Sequence, residues 1–256
     1  MEFIGSPYAN SPASAWPEIT LALVQRHPLG HDEIRDIALS AWQAVWSTRI
    51  GTDLNHLPLR DVLPPATVIG YFFEKLFAHE LARRYPNMWR GSMSAAEKDI
   101  HCIPDPRFSI EVKTSGQLGL KVYGNRSYNQ ELANGGTSKK DKSGYYLIVN
   151  FYGEILNLIR FGWIDGSDWQ PQKSATGQMA GLPEEVYANK LIPIRGEYTL
   201  FAPVGILDYM GPVAVAAATA LRIFTVGDLL NYNGTLPSRL LRARAAALGY
   251  ASEYSS

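Results

Sequence analysis

A chain of 256 residues, 46% of them hydrophobic, holds enough apolar material for one sizeable core and a small appendage. Its 24 basic and 24 acidic side chains cancel, which argues against an indiscriminate, strongly basic nucleic-acid coat protein. A lone cysteine, Cys102, excludes an internal disulfide and a cysteine-ligated metal cluster, and fits a reducing compartment such as the cytoplasm.

The N-terminal stretch lacks a basic start followed by an apolar run, so no signal peptide is expected. The apolar run VAVAAATAL is too short to span a bilayer. The charge is unevenly placed: residues 65–150 carry a net +4, between flanks of −3 and −1.

In chain order, residues 18–28 and 31–50 read as helices. The second has Asp32, Glu33 and Asp36 in its first turns, and Ile34, Ile37, Ala38, Ala41, Trp42 and Val45 at helical spacing. Pro58, Pro64 and Pro65 mark a loop. ATVIGYFFEKLFAHELARRY gives the clearest helix, with a broad apolar face from Ile69 to Leu81 and Arg83 and Arg84 at its C-terminal end. The character then changes to strands. KDIHCI and FSIEVKT are joined by a PDPR turn, LGLKVYG offers a third strand, and GYYLIVNFYG and ILNLIRFGWID continue the sheet. Residues 168–190 read as loop with a short helix, and the last fifty or so as helices punctuated by Gly and Pro. Helices, antiparallel strands and then helices define an α/β domain with a C-terminal helical element. The expected division is 1–200 for the domain with its N-terminal helices and 201–256 for the C-terminal element.

The chemistry concentrates in two neighbouring strands. If PDPR closes a hairpin, paired residues have numbers summing to about 210 to 212, and Asp99 lies opposite residues 111 to 113. Glu111 and Lys113 are two apart, so they leave the same face of their strand. Two carboxylates and one ammonium then meet at one point. The carboxylates repel each other, and a divalent cation resolves that repulsion. Mg²⁺ accepts such a set together with waters and phosphate oxygens. Lys113 can polarise an attacking water, which makes phosphodiester hydrolysis the chemistry to expect.

Asp99 followed by Glu111-Val112-Lys113 resembles the PD-(D/E)xK nuclease motif, with Lys98 where that motif has its proline. The resemblance implies a restriction-endonuclease-like mixed β-sheet core flanked by helices, and a metal held by Asp99, Glu111 and the Val112 carbonyl. It also implies a preceding helix bearing another acid, and Glu74 in GYFFE matches it. Asp105, in the turn, is a weaker candidate for the first acid. FSIEVKTS, GNRSYNQ, KSGYYLIVNF and RFGWIDGSDWQPQKSATGQ further resemble a group of ScaI-like restriction enzymes over about residues 65–200. That group implies sequence-specific cleavage of double-stranded DNA at a short palindrome by a homodimer, leaving 5′-phosphate ends, with a cognate DNA methyltransferase in the host. A repair or junction-resolving nuclease of the same fold, and a non-catalytic DNA-binding protein, are the competing functions.

Residues expected at DNA are Asn125, Arg126 and Ser127 for base edges, Lys139 and Lys140 for phosphate, and Gln172 and Gln178 for adenine edges. Trp163 and Trp169 read as packing residues, and Asp165 and Asp168 as helix caps. His101 shares the face of Asp99 and reads as a packed or hydrogen-bonded histidine. ILDYMGPVA, before a Thr-Val-acid-Leu-Leu helix start, resembles a helix-hairpin-helix, in which Gly211 would admit a phosphate to a helix N-terminus. The usual second glycine is replaced by Tyr209, so a structural or dimer-forming helical pair is the other reading. Arg239, Arg242 and Arg244 either contact DNA backbone or form a solvated face.

Overall fold

The computed structural model describes residues 5–125, 141–171 and 179–251. Helix α1 (Trp16–Arg26) opens with Pro17 in its first turn and stops before His27, because the residue preceding Pro28 is disfavoured in helical backbone. Helix α2 (His31–Ser47) ends three residues earlier than its periodicity suggests. The chain turns there into a hairpin of β1 (Arg49–Thr52) and β2 (Asn55–Pro58), where β-branched Ile50 and Thr52 suit extended backbone better than helix. The expected loop around Pro58 contains a single helical turn, α3 (Leu59–Val62). Helix α4 (Ala66–Arg84) buries Ile69, Gly70, Phe73, Phe77, Ala78 and Leu81.

The remaining strands are β3 (Trp89–Gly91), β4 (Ile100–Cys102), β5 (Ile110–Ser115), β6 (Tyr123–Asn125), β7 (Gly144–Tyr152), β8 (Ile155–Ile164), β9 (Gln170–Pro171), β10 (Met179–Gly181) and β11 (Leu191–Ile194). Six of them form the central sheet in the order β11-β8-β7-β5-β4-β3. The sheet is mixed: β5 and β7 run parallel, and every other neighbouring pair is antiparallel. The mixed sheet is the one the resemblance implied, and the chain-order reading of antiparallel strands is corrected at β5 and β7. A hairpin reverses direction, whereas the long excursion from Gly116 to Ser143 returns the chain to the starting end of β5.

Buried on both faces, β7 and β8 read as continuous apolar runs. One face, with Ile110, Val112, Tyr145, Leu147 and Val149, packs against α1, α2 and α4. The other, with Tyr146, Ile148 and Ile164, is covered by the small antiparallel sheet β6-β10-β9 and by helix α5 (Glu184–Asn189). The region expected to be loop with a short helix contributes that helix and two short strands, and of LGLKVYG only Tyr123 and Gly124 enter a strand, β6.

A third core lies wholly between Ala202 and Ala247. It joins helices α6 (Pro212–Ala220), α7 (Val226–Asn231) and α8 (Ser238–Ala251). Among the described residues no helix is long and apolar enough to cross a membrane.

A buried ammonium fastens the N-terminus to the body. Lys190, 2% exposed, donates to Asp165 Oδ2 at 2.9 Å and to Asp168 Oδ2 at 2.8 Å, and faces the rings of Tyr8 and Trp16 at 4.2 and 4.4 Å. Asp165 also accepts from Ser6 and from the Trp163 indole. Trp169 is a core residue, and Asp165 and Asp168 form a capping box, so this segment is the packing and capping element its composition suggested.

Candidate active site

The pairing of β4 with β5 consists of Ile100 opposite Ile110, numbers that sum to 210 as the hairpin register requires. The connection is a 3-10 turn (Pro106–Phe108) capped by Asp105, whose carboxylate accepts from the backbone and guanidinium of Arg107. Asp105 is therefore a turn residue and no rival to Asp99.

Because β4 begins only at Ile100, the edge of β5 is open beyond Ile110. Asp99 takes up that edge: its Oδ2 accepts the Val112 N–H at 2.8 Å. The N–H and C=O of one strand residue point to the same side, so the Val112 carbonyl faces the same opening. Lys113 Nζ donates to Glu111 Oε1 at 2.7 Å and to that carbonyl at 3.2 Å. Glu111 itself is 4% exposed.

Glu74 arrives from α4, one turn beyond Gly70. A methyl group at position 70 would stand 2.0 Å from Thr114 Oγ1, so the glycine lets α4 lie directly on β5. Thr67, Gly70, Tyr71, Glu74, Val112, Lys113 and Thr114 line a pocket of about 230 Å³. A larger cleft of about 850 Å³ lies beside it, at the start of β7, lined in part by Arg26, Lys98, His101 and Arg107. Glu74, Val112 and Lys113 line the smaller pocket, and His101 lines the larger cleft.

Charge links the side chains in turn, Glu74 with Asp99 and Lys113, and Lys113 with Glu111 and Asp99. Burial, followed by the charge of Asp99, pushes the Glu74 carboxyl above its ordinary value, against the pull of Lys75 and Lys113. Burial alone would lower the Lys113 ammonium, but the charges of Glu111 and Asp99 outweigh it and the net shift is upward. Lys113 therefore stands as a cation beside two carboxylates. Among the described residues no three His, Cys, Asp or Glu side chains converge as a ligand cluster. Around Val112 the chain presents the Asp99 and Glu111 carboxylates and the Val112 carbonyl, oxygen groups of the kind a hard divalent cation accepts.

The sequence missed three contributors. Gly70 and Thr114 set the approach of α4, and Lys75, 2.6 Å from Glu74 Oε1, is its counter-ion. A glycine inside the strongest helix was the available signal.

Of the residues expected at DNA, Asn125 ends β6, paired with Met179 of β10. Arg126, Ser127, Lys139, Lys140, Gln172 and Gln178 lie outside the described residues. Gly211 precedes α6 as its N-cap in ordinary extended backbone, because Pro212 starts the helix. The element before it is one 3-10 turn (Val204–Ile206), and the turn joining α6 to α7 is Leu221–Thr225, with Arg222 at φ +58°. The expected glycine hairpin between two helices is thus not formed at Gly211. Arg244 donates to the carbonyls of Leu230 and Tyr232, closing the end of α7, while Arg239 and Arg242 are exposed.

A mixed sheet flanked by helices, with an acid, an acid and a lysine meeting at an open strand edge, is consistent with a nuclease of the restriction-endonuclease-like class. The profile of the ScaI restriction endonuclease family matches residues 6–195. The type II restriction enzyme ScaI of Streptomyces caespitosus is 37% identical over 198 residues, covering 74% of this chain and 85% of that enzyme. No solved structure matches the chain. The chain belongs to the ScaI restriction endonuclease family. Of the three functions the sequence left open, this membership selects the site-specific deoxyribonuclease.

Proposed function

We propose that the chain hydrolyses phosphodiester bonds in double-stranded DNA at the open edge of β5, with Asp99, Glu111, Lys113 and Glu74 as its working side chains. The observation that carries this reading is the junction at Val112: its N–H is held by Asp99 at 2.8 Å while Lys113 lies against its carbonyl and Glu111. Asp99, Glu111 and the Val112 carbonyl would hold Mg²⁺. When bound, the ion supplies Lewis-acid stabilisation of the scissile phosphate and lowers the pKa of an attacking water.

The protein groups divide the remaining work. The Lys113 ammonium donates to the attacking water or a non-bridging phosphate oxygen and so fixes it in line with the scissile bond. Glu74, whose carboxyl is raised above its ordinary value by burial and by the charge of Asp99, adjusts the local charge. In-line attack by water leaves a 5′-phosphate and a 3′-hydroxyl. Asn125 with Arg126, Ser127, Gln172 and Gln178 would read bases, and Lys139 and Lys140 would hold phosphate. Two-fold symmetry of a homodimer suits a palindromic site, and a methyltransferase of the same specificity would protect host DNA in the cytoplasm.

The test is cleavage of phage DNA in Mg²⁺ by wild-type protein, Glu111→Ala and Lys113→Ala, with binding read by gel shift. Both variants are expected to lose cleavage and keep binding. Wild-type cutting by either variant would remove that residue from the chemistry.

A further inference from the structure

Beyond the pocket, the stretch that leaves the catalytic strand is gripped by buried polar side chains. After β5 the chain passes Gly116, where a methyl group would stand 2.6 Å from Ala66 Cβ and 2.7 Å from the Phe151 ring. Only glycine passes this gap between α4 and β7. Three consecutive residues then have backbone groups held from the sheet and from α5. Arg160 Nη1 donates to the Leu120 carbonyl at 2.9 Å. Asn150 Nδ2 donates to the Lys121 carbonyl at 3.1 Å. The Tyr187 hydroxyl accepts the Val122 N–H at 2.8 Å and donates back to the Val122 carbonyl at 3.3 Å.

The three side chains also hold one another. Arg160 Nη1 donates to Asn150 Oδ1 at 3.0 Å, and its guanidinium lies 5.2 Å from the centre of the Tyr187 ring. Asn150 is fully buried and Arg160 is 8% exposed. Arg160 spends a buried positive charge on a carbonyl and an amide, neither of which carries the opposite charge. Burying a cation on neutral partners is a costly route to stability, so the arrangement points to position as what is gained.

Its location says what is positioned. Lys113, Ile148 and Arg160 are register partners across β5, β7 and β8, so the clamp shares the face of Lys113 two strands away. Residues 120–122 run directly into β6, whose Asn125 pairs with Met179 of β10. One clamp therefore ties the strand bearing Glu111 and Lys113 to the small sheet. We propose that Arg160, Asn150 and Tyr187 are positioning residues that hold the small sheet in register with the catalytic strand, so that correct seating of DNA on the one aligns the scissile phosphate on the other.

This inference rests on the small sheet facing DNA, as in the function proposed above. Asn150→Asp keeps an acceptor for Arg160 and gains an ion pair with it, but loses the donor to Lys121. Tyr187→Phe keeps the ring under Arg160 and loses only the hydroxyl on Val122. For each variant, kcat and KM are measured on the site found by sequencing cut phage DNA, and on the same site with one base changed, alongside the melting temperature. Loss of one or two such hydrogen bonds should lower kcat/KM on the correct site about tenfold, mainly through kcat, and leave the altered site within about twofold. Discrimination then falls while the melting temperature stays within a few degrees. Equal losses on both sites, or unchanged discrimination in both variants, would overturn the clamp as a positioning device. Lys113→Ala serves as the control: if it cuts like wild type, the site reading fails, whatever the clamp variants do.

Discussion

His27 makes stability measurably dependent on pH. It is 6% exposed, between α1 and α2, with the rings of Tyr145 and Phe161 at 4.6 and 4.8 Å. The Leu29 N–H donates to Nδ1 at 3.1 Å, so Nδ1 must be unprotonated and Nε2 carries the proton it gives to the Phe108 carbonyl at 3.0 Å. A second proton would break the Leu29 contact and charge an apolar site. Burial accordingly lowers the folded pKa from 6.5 to about 4.

A depressed histidine means that the unfolded chain binds more protons between those values, so stability is complete above about pH 6.5 and is lost as the pH falls toward 4. The whole shift corresponds to about 3 kcal/mol, and the interval from pH 6.5 to 5 to about 2 kcal/mol. For a chain of this size, that is a fall in melting temperature of about 4 to 8 °C. Half-buried His31, also lowered, adds in the same direction, so the His27 share is isolated by His27→Gln, which keeps an amide donor for Phe108 and cannot titrate. Thermal melts of both proteins at pH 5.0, 5.5, 6.0 and 6.5 should show the wild type falling more steeply. Parallel curves would refute a neutral His27 as the source.

Three further outcomes follow from described contacts. Lys190→Met leaves Asp165 and Asp168 without their ammonium and should cost about 3 to 5 kcal/mol, seen as a fall of about 10 °C in melting temperature; an unchanged melting point would make the buried triad dispensable. Asp99→Asn keeps an acceptor for the Val112 N–H but removes the charge felt by Glu74 and Lys113, so single-turnover cleavage should fall by about 10² or more with the melting temperature unchanged. Cleavage at the wild-type rate would take Asp99 out of the chemistry. Gly70→Ala gains about 1 kcal/mol of helix propensity but pushes α4 off Thr114, so the fold should survive while cleavage drops about tenfold or more. A fully active variant would show that the approach of α4 is not critical.

Much of the site was legible because strand alternation is rigid. Glu111 and Lys113 had to share a face, and the short link to Asp99 fixed the opposing register to within a residue or two. Glu74 came from resemblance to a motif, and its distance from the other three could not be read from periodicity, since the three-residue strand β3 and two irregular links separate α4 from β4. The direction of β7 was hidden for a related reason: the side chains of a buried strand look alike whether their neighbour runs parallel or antiparallel. Strands of two or three residues, such as β9 and β10, are too short to show alternation at all. Lys190 was invisible as a core residue because nothing in the sequence announces a lysine whose two acids lie some twenty residues upstream.

The late start of β4 has a consequence outside catalysis. A strand with bare N–H and C=O groups along one side is a template on which another chain can add, the usual start of sheet-to-sheet aggregation. On β5 that hazard falls at Val112, in the middle of the molecule's most reactive stretch. Asp99 removes it by occupying the N–H, and the charges of Lys113 and Glu111 guard the carbonyl beside it. The carboxylate proposed to serve hydrolysis here also keeps the strand from recruiting a neighbour.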